Sequence, residues 1–540
     1  MSMQQTFQTI LLMLGALAGI AVLARKLNIA PSILLVATGV GIALIPGRTT
    51  IELAPEVVLL MILPPLIYSA AVAMSWREFR ANLRPIGLLA VGCVVFTTAA
   101  IAVAMHYAIG MPWAVGFVLG AVIAPPDIVA PIAIARRLGL PHRLLVILEG
   151  EGLVNDATAL ILYRFAVIAV VAGTFSFGKA TGAFALIVVG EIIFGLAVGW
   201  LSLRLRRKAH DPRVEITLSI LTPYLAFWIP EHFNGSGVLA TVACGLYVSW
   251  RGPLLISAAT RLQGIFFWDL FVYLVEGLAF LVTGLQARRV FDGAYAFSGK
   301  ELAIATALAA AVVIVARYVW VFPATYIPRW LFPPVRRRDP SPPWQYPFLL
   351  SYTGVRGVVS LAAALAIPLT LANGEPFPQR ELIQFVAFGV IVVTLIGTGM
   401  TLPPLVRWLG LADAGRSEHA REREEELSAR RETAKLAREK LEEIARERRL
   451  DDEQLELIRA RYDSRLALLP RSHSDGIELA KLRADLRMDL IAEERLLIHQ
   501  LLRRGKISDE VRRRIERDLD LEEAAFRTRI GGEGGEQLPL

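Results

Sequence analysis

A succession of apolar runs, each long enough to cross a bilayer, extends from Phe7 to Leu409. A helix needs about 20 apolar residues to span the hydrocarbon core, and only helices and closed barrels satisfy all of their backbone polar groups there. More than half of the residues are hydrophobic. The runs have the length of membrane helices, so the sequence predicts an all-α polytopic membrane protein.

Counting the runs by length predicts about 13 transmembrane helices. Their approximate centres are Gly15, Val40, Ile62, Val94, Leu119, Thr158, Ile193, Pro223, Ala243, Leu278, Val313, Ser360 and Val393. Lys and Arg concentrate in the loops that follow odd-numbered spans, and cytoplasmic loops carry such an excess. The pattern predicts a cell (inner) membrane protein with its N-terminus outside and its C-terminus in the cytoplasm.

The composition changes near Leu411, where charged sequence replaces the apolar runs. This change predicts a transmembrane domain at residues 1–410 and a charged α-helical cytoplasmic tail at residues 411–540. Acidic and basic residues nearly balance in the tail, so the net charge of +8 belongs to the membrane domain. Anionic lipid at the cytoplasmic loops is the expected partner of that charge, and nucleic acid is not. The tail is interpreted either as a solvated extension or as a pH or partner sensor.

An acid lies inside the fifth span, directly after two prolines. Pro125 and Pro126 precede Asp127. Proline lacks an amide donor and clashes with the carbonyl four residues back, so the helix should break and free carbonyls such as those of Ala121 and Val122. Freed carbonyls at membrane depth can coordinate a cation. The alternative interpretation is a simple proline kink.

The sixth span carries three further polar groups. Glu151 and Asn155 are four residues apart and share one helix face, whereas Asp156 points about 100° further round. Ionisable groups at this depth are costly and are therefore functional candidates.

A deeply buried Glu151 requires a positive partner. Three arginines within the predicted spans are candidates for that partner: Arg164, Arg317 and Arg356.

The twelfth span is predicted to be interrupted as well. Gly354 and Gly357 flank Arg356, and each glycine weakens a helix by about 1 kcal/mol relative to alanine. The two interrupted spans are seven apart, so they run in opposite directions. This arrangement is expected of inverted repeats whose interrupted helices cross at a site near the bilayer midplane.

Together these motifs resemble those of the monovalent cation:proton antiporters, in the bacterial type of the sodium/proton exchanger branch. The matching segments occur in the family's order: Leu63-Pro64-Pro65, Ala124-Pro125-Pro126-Asp127, Glu149-Gly150-Glu151-Gly152-Leu153-Val154-Asn155-Asp156, Glu276-Gly277-Leu278 and Gly354-Val355-Arg356-Gly357. The resemblance implies a homodimer in which a mobile core carries the ion across the membrane.

The resemblance also implies roles for individual residues. Asp156 matches the aspartate that binds the ion and the proton, and the pair that it forms with Asn155 is associated with electroneutral exchange. Asp127 matches the acid of the unwound span. Glu151 and Arg317 match a structural ion pair.

Arg356 is then expected to support the crossover of the two interrupted spans.

Some positions depart from the family pattern. Pro126 and Ile128 stand where many relatives have Thr and Pro, and Gly152 stands where many have Ser. Ser69 stands where some relatives have an acid, and its hydroxyl together with backbone carbonyls is expected to compensate as ion ligands. The transported sodium is expected in the region of Asp156 and Asp127, with selectivity left open.

The predicted mechanism is competition between a proton and a cation for one carboxylate. Burial disfavours a bare charge, so Asp156 should bind one ligand or the other. The predicted function is secondary antiport of cytoplasmic sodium, with lithium or potassium left open, for external protons, in pH and cation homeostasis. Neither a cofactor nor enzymatic activity is expected. The alternatives are a K⁺/H⁺ antiporter, a cation channel and an intramembrane aspartyl protease, whose two acids share a proton.

Overall fold

The computed structural model describes residues 3–27, 29–45, 57–172, 177–233, 235–371, 373–448, 451–467 and 473–531. The described residues form helices and contain no β-strand, which confirms the predicted all-α fold. The chain divides into two compact units, Met1–Ala412 and Asp413–Leu540.

The first unit is a bundle of helices, several of them short or broken. Their bounds are α1 Met3–Leu27, α2 Pro31–Ala43, α3 Leu63–Ala73, α4 Trp76–Ala81, α5 Leu83–Gly87, α6 Val94–Ile109, α7 Trp113–Ile123, α8 Val129–Arg137, α9 His142–Ala172, α10 Phe177–Ala209, α11 Pro212–His232, α12 Val238–Leu255, α13 Ala258–Leu285, α14 Ala287–Gly293, α15 Gly299–Leu331, α16 Pro333–Arg338, α17 Gln345–Tyr352, α18 Val358–Leu365 and α19 Arg380–Trp408. Wider π-helical turns, Val58–Ile62 and Leu88–Cys93, precede α3 and α6.

Within the described residues, eight helical stretches are long and apolar enough to cross a membrane. Shorter apolar helices, Pro31–Ala43, Val58–Ala73 and Trp113–Ile123, accompany them. All of the predicted span centres fall within helices. The count of about 13 spans stays a prediction, because length and apolarity do not establish that a short or broken helix crosses.

Close contacts between helix backbones hold parts of the bundle together. A methyl group placed on Gly39 of α2 would overlap the backbone of Leu281 and Gly284 on α13, and one placed on Gly284 would overlap Val36. Small residues allow such contact, which is the usual basis of helix packing where lipid removes most of the hydrophobic driving force. These glycines therefore fix how closely α2 and α13 approach.

The second unit contains the charged helices. They are α20 Leu411–Arg448, whose first two residues belong to the first unit, α21 Asp452–Ala467, α22 His473–Arg503 and α23 Asp509–Gly531. Within this unit Arg459 binds Glu442 through two hydrogen bonds of 2.7 and 2.5 Å. Ile491 and Ile498 of α22 pack with Leu519 of α23.

Candidate ion-binding site

The fifth predicted span is broken at its prolines. α7 ends at Ile123 and α8 begins at Val129, and the residues between them are not helical. The twelfth predicted span is broken in the same way between Tyr352 and Val358. Both predicted interruptions are therefore confirmed.

The two broken segments meet through their backbones. The amide of Asp127 donates to the carbonyl of Val355 across a distance of 2.6 Å. In a continuous helix this amide would have bonded the carbonyl of Ile123. The crossing thus replaces one helical hydrogen bond with a bond between the two segments.

Arg356 satisfies the carbonyls that this change leaves open. Its Nε donates to the carbonyl of Ile123 at 2.8 Å, its Nη2 to that of Ala124 at 3.1 Å, and its Nη1 to that of Gly354. The proline positions in the sequence point instead to the carbonyls of Ala121 and Val122. Among the described residues, Arg356 instead contacts carbonyls two positions later in the chain, those of Ile123 and Ala124. The carbonyl of Ile123 is available because the amide of Asp127 donates to Val355.

Gly357 lets Asp127 approach the second broken segment. One carboxylate oxygen of Asp127 accepts from the amide of Val129 at 2.9 Å, which caps the start of α8. A methyl group at Gly357 would overlap the same carboxylate. The φ of Gly357 is −138°, a value open to any residue, so space is what this position requires.

Helix α9 supplies three polar groups in two directions. Glu151 and Asn155 are fully buried, whereas Asp156 lies at the wall of a cavity. The partner of Glu151 is Arg317 of α15, whose Nη1 and Nη2 lie 2.5 and 2.7 Å from its two carboxylate oxygens. The remaining donor, Nε, bonds the carbonyl of Leu350 at 2.9 Å.

The other two candidate partners of Glu151 are engaged elsewhere. Arg164 donates to Glu231 and to the carbonyl of Gly235, and Arg356 bonds the broken segments. The tertiary packing of α9 against α15, and not the local sequence, therefore determines that Arg317 is the partner of Glu151.

Asn155 ties α9 to the broken span. Its Nδ2 donates to the carbonyl of Pro126 at 2.7 Å. Its Oδ1 is buried and has no hydrogen-bond partner among the described residues. Asn155 thus holds in place the backbone from which Asp127 extends.

A cavity of about 140 Å³ lies where these elements meet. Asp127, Asp156 and Glu276 line it together, and its walls are otherwise mainly apolar, among them Ile62, Leu66, Ile67, Ile128, Leu153 and Phe280. Mainly apolar surfaces with a few convergent polar groups are typical of binding sites. The cavity has three carboxyl groups and, among its described lining residues, no basic side chain, so its chemistry suits a positively charged ligand.

Ser69, an expected ion ligand, is not among the residues that line this cavity. Its hydroxyl donates to the carbonyl of Leu66 at 2.9 Å, one turn back on α3. A serine hydroxyl in a helix readily makes this local bond, which sequence alone does not distinguish from ion binding.

Glu276 is a lining residue that the predicted ligand set omitted. It lies on α13, within a long apolar helix. An acid in such a segment is the same signal that singles out Asp127 and Asp156. Only the packing of α13 against the crossing shows that it shares their cavity.

A family model for the transmembrane sodium/hydrogen exchanger matches residues 11–408. The chain belongs to the sodium/hydrogen exchanger family. This confirms the resemblance and the predicted class of cation/proton antiporters, and it makes the chain a multi-pass membrane protein. The family is one of transporters, so the channel and protease alternatives lose their support.

Sequence similarity to the first of two relatives extends over nearly the whole chain. An uncharacterized Na⁺/H⁺ exchanger of Mycobacterium tuberculosis is 35% identical over an alignment of 513 residues that covers 93% of each chain. A sodium, potassium, lithium and rubidium/H⁺ antiporter of Bacillus subtilis is 32% identical over 68% of this chain and 57% of its own length. Sodium is common to these names, so a K⁺/H⁺ antiporter is not favoured.

The fold of this exchanger also matches a solved structure. The sodium proton antiporter MjNhaP1 of Methanocaldococcus jannaschii superposes with a TM-score of 0.62 over 76% of this chain and 99% of the other, at 18% identity. At that identity the likeness establishes the fold alone.

Proposed function

We propose that this exchanger moves sodium out of the cytoplasm in exchange for external protons, with Asp156 as the carboxylate that both ions share. The observation that carries the proposal is that Asp156 and Asp127 line one cavity at the crossing of two broken helices. Proton and cation bind alternately because each neutralises the same charge in surroundings that solvate it poorly.

Coupling follows from the cost of moving a bare charge through a membrane. If the mobile core crosses only when Asp156 carries a proton or a cation, downhill proton entry drives cation exit. One ion of each kind then crosses per cycle, which makes the exchange electroneutral. The fixed pair of Glu151 and Arg317 carries no net charge and leaves this balance unchanged.

Asp127 and Asn155 act mainly by shaping the site. Asn155 positions the carbonyl of Pro126, and Asp127 caps α8 with one oxygen while lining the cavity. Glu276 adds negative charge to the same cavity. Ser69 is given no direct part in the proposed site, because it is not among the residues that line the cavity.

Sodium is the proposed cation because it is common to the names of the relatives. The transporter is proposed to lie in the cell (inner) membrane as a homodimer, with an external N-terminus and a cytoplasmic tail of residues 411–540. The concentration of Lys and Arg in alternate loops supports this orientation. Pumping sodium against protons would serve pH and cation homeostasis.

Transport into proteoliposomes with a clamped membrane potential tests the function. A pH-sensitive dye inside the vesicles should report proton movement when sodium is added outside, and lithium and potassium are compared at equal concentration. Asp156→Asn should abolish the signal. Undiminished exchange by Asp156→Asn would refute the role of this carboxylate, and a cation flux without proton movement would refute antiport.

A further inference from the structure

Three arginines converge on one aspartate at one end of the first unit. Asp339 accepts from Nη2 of Arg84 at 2.5 Å, from Nη2 of Arg143 at 2.7 Å and from Nη2 of Arg329 at 2.7 Å. One negative charge therefore faces three positive charges. The cluster retains a net positive charge that no part of the exchange mechanism uses.

The cluster lies at helix ends that face the same side. Arg84 is in α5, Arg143 follows the first residue of α9, and Arg329 is in the last turn of α15. The distribution of Lys and Arg predicts that this side faces the cytoplasm. Side chains at Arg336, Arg337 and Arg338 add further positive charge to the segment that ends at Asp339.

An apolar crevice opens beside these arginines. Arg84, Arg143 and Arg329 line it together with Leu88, Leu144, Ile147, Val321, Ala324 and Leu350. The side chains of Arg84 and Arg143 are 30% and 40% exposed, whereas Leu144 and Val321 are buried. The charge thus lies at the accessible end and the apolar surface lies within.

Arg84 and Arg143 use only some of their hydrogen-bond donors within the described part of the chain. A guanidinium carries five N–H groups. Within the described part of the chain, Arg84 uses one of them, to Asp339, and Arg143 uses two, to Asp339 and Asn82. Planar guanidinium groups suit a phosphate because they bind two oxygens at once.

We propose that this crevice binds an anionic phospholipid, with its phosphate on Arg84 and Arg143 and an acyl chain against the apolar wall. Basic pockets between membrane helices on the cytoplasmic side are suited to anionic headgroups. Free phosphate shares the headgroup chemistry but has no chain to fill the crevice. A bound lipid would hold together α9 and α15, the helices that carry Asp156 and Arg317.

Native mass spectrometry of the full-length protein tests the proposal, with phosphatidylglycerol, phosphatidylcholine and inorganic phosphate as probes. Wild-type protein should retain phosphatidylglycerol in preference to phosphatidylcholine. The double variant Arg84→Gln/Arg143→Gln should lose affinity about 25-fold, since each basic residue contributes about fivefold. The matched control Arg207→Gln/Lys208→Gln removes two charges from the end of α10 and should retain the lipid.

Two further variants distinguish a bound lipid from a free phosphate. Ala324→Leu fills the crevice and should weaken phosphatidylglycerol without affecting inorganic phosphate. Asp339→Asn removes the competing carboxylate and should strengthen phosphatidylglycerol about fivefold, provided that its elution and melting temperature show a folded protein. Equal retention of the two lipids by wild type, or no loss in the double arginine variant, would overturn the proposal. Loss in that variant with no effect of Ala324→Leu would overturn the lipid in favour of a free phosphate.

Discussion

The amide of Asp127 and the carbonyl of Val355 lie 2.6 Å apart and join the two broken helices. This bond sets the geometry of the cavity, because Asp127 extends into it from the same stretch of backbone. Arg356 completes the junction by satisfying carbonyls on both segments. The site is therefore held by backbone geometry as well as by its acids.

Replacing Arg356 by leucine should destabilise the crossing. The carbonyls of Ile123, Ala124 and Gly354 would lose buried donors, and an unsatisfied buried polar group costs about 1 to 3 kcal/mol. The expected loss is about 3 kcal/mol or more, measured as a fall in melting temperature of the purified protein. Arg356→Lys should fall between wild type and leucine because lysine keeps some donors. Indistinguishable melting of Arg356→Leu and wild type would show that the junction does not depend on Arg356.

The pair of Glu151 and Arg317 should behave as a unit. Both side chains are buried, and removing one partner of a buried pair costs about 3 to 5 kcal/mol. Glu151→Gln and Arg317→Leu should each reduce stability more than the exchanged double variant Glu151→Arg/Arg317→Glu does. Recovery in the double variant should be incomplete, because glutamate at 317 cannot donate to the carbonyl of Leu350.

Folded yield and melting temperature of the two single variants and the double variant measure this coupling. Damage in the exchanged double variant as large as in either single variant would show that no specific interaction joins Glu151 and Arg317. Arg143→Gln is a useful comparison, since its partly exposed contact with Asp339 should matter less to stability.

The effects of substitutions at Gly152 and Ile128 on stability should depend on each other, because the two residues pack together at the cavity wall. A methyl group at Gly152 would overlap the side chain of Ile128, and both residues line the cavity. Gly152→Ala should therefore displace Ile128, cost about 1 to 3 kcal/mol and lower the transport rate. Adding Ile128→Ala should restore stability by making room.

The matched control for this pair is Gly41→Ala, because a methyl group there meets no neighbouring atom within 4 Å. Transport and melting temperature are measured for all of these variants. Equal effects of Gly152→Ala with and without Ile128→Ala would contradict the coupling.

In the second unit, Arg487 should make the α22–α23 pair sensitive to acid. Its Nε and Nη2 each lie 2.8 Å from a carboxylate oxygen of Glu522, and these hydrogen bonds hold the pKa of Glu522 below its ordinary value of 4.5. A lowered folded pKa stabilises the pair above the unfolded pKa, and that stability is lost as the pH falls through the folded value.

Hydrogen-exchange protection of α22 and α23 in the full-length protein should therefore decline below about pH 4.5. Glu522→Gln should remove much of that decline. Glu510→Gln, which alters an exposed contact with Arg514 one turn away on α23, serves as the control. A profile for Glu522→Gln identical to that of wild type would rule out this contact as the cause.

Much of the fold follows from local sequence. Apolar runs predict the membrane helices, and Pro125, Pro126, Gly354 and Gly357 predict the two breaks because proline and glycine act on the backbone where they stand. The acids at 127 and 156 are conspicuous for the same reason: a charge in an apolar segment has to be explained.

The rest depends on contacts between distant parts of the chain. Sequence leaves three candidate partners for Glu151, omits Glu276 from the ligands and includes Ser69. The position of α13 beside the crossing brings Glu276 to the cavity, and α3 lines that cavity with Leu66, Ile67 and Ala70 and not with Ser69. The packing of Ile128 against Gly152 likewise depends on tertiary structure, and neither residue carries a sequence signal that predicts it.

Competition between a proton and sodium for Asp156 is tested most directly by the protons released when sodium binds. Calorimetric titration of the purified protein with sodium chloride, in two buffers of different ionisation enthalpy, measures the number of protons released per sodium bound. Wild type should release close to one proton per sodium at a pH where the sodium-free site is largely protonated, and its apparent Kd for sodium should rise as the pH is lowered. Asp156→Asn should show neither sodium binding nor proton release. Sodium binding by Asp156→Asn with the wild-type Kd and the same proton release would contradict the assignment of Asp156 as the shared carboxylate.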